Sequence, residues 1–297
     1  MRTFTLCLLL SALLPALVRG QYVLLENAIN LDNGCIQLTP DEPYSRGIAY
    51  NKTKLNLTQF FEIDFDIYLG NKEEGADGIT FVMHNDHREF QAMGTWGEAM
   101  GYGRWRQEYA TGNFIAPSIA VEFDTYYNYA QNDPDHDHVA YLENGTNFHT
   151  KFWSDNRNDF NLEDNKLHDF RFRWDPEKQQ ITVFLDGKVV FQGKRNLIKD
   201  IFNGNPEVIW GFTASTGRAS NQQLFCLKRI TQYRMPSKNL KAVRPVLPRL
   251  SIPAPGGALT HNKAGTHDDA PVPISNEPLR LPARERKKKP SLARWYR

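Results

Sequence analysis

An all-β sandwich of jelly-roll type is the fold the sequence predicts, and three observations predict it. About a dozen short stretches rich in β-branched and aromatic residues recur between residues 21 and 233, as such folds require. Polar turns containing Gly, Asp, Asn and Pro separate them, and convincing helical periodicity is scarce. One large domain is admissible, because all-β chains run to about 250 residues as a single unit.

The chain opens with Met1 and Arg2, an apolar run from Leu8 to Val18, and a small residue at Gly20. That order predicts a secretory signal peptide over residues 1–20, cleaved near Gln21, and hence an exported, extracellular protein. A membrane anchor is the poorer reading, since the run is shorter than the roughly 20 apolar residues a span needs.

Strands are expected at Tyr22 to Glu26, Cys35 to Leu38, Ile48 to Leu55 and Phe60 to Leu69. The last is the plainest: Phe61, Ile63, Phe65, Ile67 and Leu69 alternate with Glu62, Asp64, Asp66 and Tyr68, so one face is apolar and the other polar. Further strands are expected at Ile79 to Met83, Ile119 to Thr125, Val139 to Leu142 and His168 to Trp174. Those closing the domain are Gln180 to Leu185, Val189 to Gln192, Val208 to Phe212 and Gln223 to Ile230. Asp186-Gly187 between two apolar runs is a strong hairpin signal.

After Tyr233 the composition changes. Ten of the 17 prolines lie between Pro236 and Pro290, and no strand or helix period survives, which predicts a disordered tail over residues 234–297. The tail holds 14 Lys or Arg against 4 Asp or Glu, so the net charge of +2 hides an acidic body and a basic end. Its run from Arg284 to Lys289 suits contact with anionic surfaces, though a solubilising or processed tail is the simpler reading, and no specific nucleic-acid partner is expected.

Cys7 leaves with the signal peptide. Cys35 and Cys226 then remain in an oxidising compartment, where a disulfide between them and two buried thiols are both open. Asn51, Asn56 and Asn144 each begin an N-glycosylation acceptor pattern.

The stretch from Ser118 to Tyr141 concentrates ligating side chains. Glu122, Asp124, Tyr126 and Asn128 fall on one strand face, and a turn-rich loop follows with Asp133, Asp135, His136, Asp137 and His138. So many carboxylates would repel one another unless a cation lay between them. An isolated Glu-x-Asp would be an exposed polar face; the added Asn, Asp and His make a metal site the better reading. His84, His87, His149 and His168 show no partner pattern and read as surface or satisfied histidines.

Ala76 to Phe81, the glycine-rich run Gly94 to Gly103, Val121 to Tyr126, Asn128, Asp133-Pro134, His138 and Gly211 to Gly217 together resemble the legume-type (L-type) lectin family. The similarity spans about Gln21 to Ile230, with separate motifs in the family's order. It implies a concanavalin-like sandwich whose paired manganese and calcium ions shape a shallow sugar pocket. By that resemblance Glu122, Asp124, Asp133 and His138 hold manganese or another divalent transition metal; His136 is the rival for His138. Asp124 and Asp133 also bridge to calcium, which the Tyr126 carbonyl and the Asn128 side chain complete. Sugar binding falls to Asp77, preceded by a cis peptide, and to Gly97, Tyr126 and Asn128, with Arg218 and Asn221 at the rim. Trp96, Tyr102 and Trp105 are either pocket lining or local packing.

The expected function is that of a secreted, metal-dependent, non-catalytic lectin whose partners are glycans or glycoproteins, with a homo-oligomer as a further candidate assembly. Two other classes compete. A laminarinase-like glycoside hydrolase has a similar sandwich, but the second catalytic glutamate is missing, since Thr125, Tyr126 and Tyr127 follow Asp124. A structural or adhesive surface protein would keep the metal for stability alone.

Overall fold

The computed structural model describes residues 20–105, 113–149 and 160–233. The expected signal peptide, up to residue 19, and the proline-rich tail lie outside the described residues.

Two antiparallel sheets of seven strands each enclose a common core. The front sheet runs β1 (Tyr22–Glu26), β4 (Arg46–Asn51), β13 (Glu207–Ser215), β7 (Gly78–His84), β8 (Ser118–Asp124) and β9 (His138–Glu143), with β5 (Leu55–Asn56) pairing onto β13. The back sheet runs β12 (Lys188–Lys194), β11 (Gln180–Leu185), β10 (His168–Asp175), β6 (Phe60–Tyr68), β14 (Gln223–Tyr233), β3 (Ile36–Thr39) and β2 (Ile29–Asn30). The strand expected over residues 48–55 divides into β4 and β5. Asn51 Oδ1 accepts from Thr53 N at 2.9 Å and closes a turn between them.

Alternation along β6 is realised as expected. Phe61, Ile63, Phe65 and Ile67 are fully buried, and Phe65 packs against Phe81, Phe170 and Phe212 with ring centroids 4.8–5.9 Å apart. On the outer face Glu62, Asp64 and Asp66 pair with Arg173, Arg171 and Lys228 across neighbouring strands. Partly exposed ion pairs contribute up to about 1 kcal/mol each, whereas burying a Phe contributes about 1.5–3 kcal/mol, so the rings dominate.

The front sheet departs from simple alternation. Every residue of β8 is buried, because a second apolar layer covers its outer face. Ile48, Val82, Ala120, Ala140 and Leu142 of the sheet meet Ala92, Tyr102 and Ile115 from the segment between β7 and β8. Tyr50 Oη donates to the Ala92 carbonyl at 2.9 Å, and Tyr102 Oη accepts from Gly145 N at 3.0 Å, which fixes that segment down. Tyr102 is therefore core, not pocket lining.

Cys35 and Cys226 form a disulfide 191 residues apart in sequence, settling the choice left open between bridge and thiols. It ties the start of β3 to its neighbour β14. Reduction is expected to lower the unfolding free energy by about 2–5 kcal/mol. An unchanged urea midpoint after reduction would refute this. Of the three acceptor asparagines, Asn51 is fully buried and inaccessible to a glycan, while Asn144 is exposed.

Candidate metal and sugar site

Strand register gathers the site. In β8, Asp124 lies opposite Gly78 of β7 and His138 of β9, so its two neighbours deliver Asp77 and His138 to the same end. Gly78 has φ +145°, and a Cβ there would lie 2.2 Å from the Phe123 carbonyl oxygen; only glycine lets β7 approach so closely. The Ala76-Asp77 peptide is cis, as the resemblance implied. Asp77 N donates to the Ser215 carbonyl at 3.1 Å, and Thr125 N donates back to the Asp77 carbonyl at 3.0 Å.

Beyond β8 the chain loops back over its own carboxylates. Tyr126 N donates to Asp124 Oδ1 at 2.7 Å, and Asn128 N donates to Asp133 Oδ2 at 2.6 Å. A short 3-10 turn, Tyr129–Gln131, reverses direction and Asn132 adopts the left-handed region that asparagine tolerates. Glu122, Asp124, Asp133 and His138 thereby come together, with ligand atoms of Asp124, Asp133 and His138 all within 4.8 Å of one another. His138 is 1% exposed and faces this cluster, while His136 is turned outward beside exposed Asp135.

One member was not anticipated. His149, read from the sequence as surface or satisfied, is 1% exposed and lies in the cluster with Nε2 2.5 Å from Glu122 Oε2 and Nδ1 3.1 Å from Asp133 Oδ1. No spacing rule connects it to Glu122 or His138. Its nearest sequence signal is that a polar ring closes the segment leaving β9, where Asn147 and Phe148 precede it.

Electrostatics show how crowded the negative charge is. Burial, then the Asp133 and Glu122 carboxylates, pushes Asp124 well above the usual carboxylate range. Burial also raises Glu122 and Asp133, with His149 opposing it in both. For His149 burial acts downward, but Glu122 and Asp133 prevail and hold it up at about 10. His138 is depressed to about 3 by burial and by the His149 charge. A folded protein holding three buried carboxylates this close favours a cation among them.

Asp77 leads into Gly78, which pairs with Asp124, so it arrives at the same end of the sheet as the cluster. Asp77 is 4% exposed; burial first, then the Glu98 carboxylate, raises it to about 8. Among the described residues its Oδ2 has no hydrogen-bond partner, and the same is true of the buried Asn128 Oδ1. Gly97 has φ +62° and open space where a side chain would start, and Ser215 Oγ donates to its carbonyl at 2.9 Å. Tyr126 is half-buried, and burial first, then the Asp77 and Glu74 carboxylates, raises its hydroxyl. Glu98 accepts from Gln131 Nε2 at 3.0 Å, joining the glycine-rich loop to the 125–137 loop.

Arg218 is exposed beside Gly217, where a Cβ would lie 3.5 Å from Asp77 Oδ2. Asn221 is not a rim contact. It is 1% exposed, and its amide is spent on the Asn71 and Lys72 backbone. Trp96 and Trp105 are partly exposed; the Arg46 guanidinium sits 4.3 Å from the Trp96 ring, and Trp105 Nε1 donates to the Trp96 carbonyl at 2.8 Å. A cavity of about 310 Å³ lined by Leu57, Trp174, Pro176 and Ile198 shares no residue with this site.

The donor set fits metal binding: Asn128 Oδ1 is a buried acceptor without a hydrogen-bond partner, and with the nearby carboxylates it offers the oxygen ligands that calcium prefers. Adding an imidazole beside Glu122 suits a transition ion.

Comparisons with known proteins agree with this fold. Basic winged bean lectin, solved with Tn-antigen, superposes with TM-score 0.58 at 20% identity, over 72% of this chain and 93% of its own. The Bauhinia forficata lectin, in complex with GalNAc, gives 0.59 at 17% identity, over 72% and 93%. Lectin I-B4 from Griffonia simplicifolia, in its metal-free form, gives 0.58 at 19% identity, over 73% and 94%. The family model for the legume lectin beta-barrel domain matches residues 17–229, most of the chain and nearly all of the sandwich, and the protein belongs to the legume (L-type) lectin family.

Proposed function

We propose that this protein is a secreted, metal-dependent, non-catalytic lectin that binds glycans or glycoproteins at a pocket around Asp77. The observation that carries the reading is the pair of buried, unpartnered oxygens, Asp77 Oδ2 and Asn128 Oδ1, on residues that the β7–β8 register and the Asn128 N–Asp133 bond bring to the end of the sheet where the ligating cluster lies. A buried acceptor without a donor costs about 1–3 kcal/mol, and sugar hydroxyls or a cation are what would satisfy these two.

In this reading Glu122, Asp124, Asp133 and His138 hold the transition ion, and Asp124, Asp133, the Tyr126 carbonyl and Asn128 Oδ1 hold calcium. The bound cations neutralise the carboxylates and keep the 125–137 loop in place. Asp77 accepts from two sugar hydroxyls, Asn128 Nδ2 donates to a third, and Tyr126 offers its ring to the apolar face of the pyranose. Gly97 leaves the pocket open, and Arg218 reaches its rim. A shallow pocket binds a single sugar weakly, so useful avidity calls for several sites together, in an oligomer or on a displayed surface.

Neither rival class has comparable support. Glu122 is 1% exposed and engaged by His149, which is no place for a hydrolytic acid or nucleophile. A purely structural metal would leave the buried Asp77 Oδ2 without a purpose.

A glycan array with calcium and manganese, repeated in chelator, is the test. Sugar-specific signal lost on chelation is expected, and Asp77→Ala should remove that signal by at least tenfold while leaving the melting temperature in metal unchanged, since a lost charged hydrogen bond is worth about 1.5–3 kcal/mol. Normal binding by Asp77→Ala would refute the pocket. Release of reducing sugar from β-glucans would overturn the non-catalytic assignment.

A further inference from the structure

The role of His149 is not covered by the ligand set above. Its backbone is pinned on both sides of the peptide: His149 N donates to the Gln131 carbonyl at 2.9 Å, and its own carbonyl accepts from Asn132 Nδ2 at 2.7 Å. The ring is thus held against the loop that carries Asp133, and it meets His138 edge to face with centroids 4.7 Å apart. Ligand atoms of Glu122, His138 and His149 all lie within 4.8 Å of one another. That is close to the spread of donors around one ion, where bonds are about 2.0–2.2 Å and donors across the ion are about twice that apart.

We propose that His149 is a second imidazole ligand of the transition-metal position, and that it tunes this lectin site toward zinc-class ions (zinc, cobalt, nickel, copper) over manganese. The proposal rests on the metal-site reading above and extends it by one ligand and a selectivity. Glu122 and Asp133, the carboxylates His149 touches, are the same groups assigned to that ion, so a modest rotation of the ring exchanges its carboxylate contacts for the metal. Two imidazoles with carboxylates form a donor set that favours the later first-row ions, whereas a set dominated by oxygen suits manganese. The competing role is that of a cationic bridge between Glu122 and Asp133 that swings aside when the ion enters, leaving one imidazole.

Two measurements on the full chain decide between these roles. The stripped protein is loaded with one equivalent of copper(II), and pulsed electron paramagnetic resonance counts the coupled imidazoles; two are expected, and one in His149→Gln. Dialysis against mixed zinc and manganese, followed by elemental analysis, should show the zinc-over-manganese preference of His149→Gln reduced by at least about tenfold, since even outer partners of metal ligands cost 10–100-fold in affinity. One coupled imidazole in the parent, or an unchanged metal preference in the variant, overturns the proposal. If His149→Gln does not fold, the parent's imidazole count decides alone. Metal uptake with one imidazole and intact sugar binding sinks this inference only; no uptake of any divalent ion sinks the metal-dependent reading as well.

Discussion

Asp124→Asn should abolish uptake of both ions and all sugar binding, and lower the melting temperature measured in calcium and manganese. Asp124 is 2% exposed, lies opposite His138 in the ladder, and is, with Asp133, one of the two carboxylates shared by the two proposed ions. An ion at 100 times its dissociation constant stabilises by about 2.7 kcal/mol, which in a domain of this size is roughly 5–10 °C. In chelator the sign reverses. Asparagine keeps the volume and the acceptor for Tyr126 N and is neutral without the proton that burial, Asp133 and Glu122 force onto Asp124, so the variant should melt at or above the parent. Equal melting of the two proteins in metal, with sugar binding kept, would dismiss the shared-ligand role.

The second large effect is a pH dependence of the metal-free protein. Asp77 titrates at about 8 and His149 at about 10 when folded, each above its ordinary value. Between pH 6.5 and 8 the folded chain therefore holds protons that the unfolded chain has released, and stability falls as pH rises. Asp124, raised well above 3.8, acts in the same direction. His138, depressed to about 3, opposes them only below 6.5, and Asp86, lowered to about 2, only below 3.8. Glu163, raised to about 10 by burial and by Asp137, adds to the same fall. At about 1.4 kcal/mol per proton per pH unit, Asp77 and His149 together account for roughly 2–4 kcal/mol of it over that window. Saturating calcium and manganese should flatten the slope. Thermal melts at pH 6.5 and 8 with and without chelator would show it, and a chelated protein equally stable at both would contradict the assignment.

The sandwich was legible wherever one face of a strand is wet. Along β6 the alternation of Phe61, Ile63, Phe65 and Ile67 with acids states both the strand and its orientation, because water on one side demands polarity there. The spacing of Glu122, Asp124, Asn128, Asp133 and His138 was readable for a related reason: within one strand and its return loop, sequence separation fixes which side chains can meet. What covers a face is a different matter. Tyr102 and Ile115 come from another segment to bury the outer side of β8, so its acids are interior where alternation alone offered a solvated face as the alternative. His149 escaped because its place depends on hydrogen bonds from Gln131 and Asn132, not on a repeat. Asn221 was misjudged for the converse reason: a polar side chain near the rim was assigned to a ligand, while the buried backbone of Asn71 and Lys72 had the prior claim on it.

The Cys35–Cys226 bridge has a topological consequence. It turns everything between the two cysteines into a covalent ring that contains the whole cluster, from Asp77 through His149 to Gly217. A protease that cuts one peptide bond within that ring opens it without releasing a fragment. On a non-reducing gel such a nicked chain keeps its full mass, and only on reduction does it fall into two pieces.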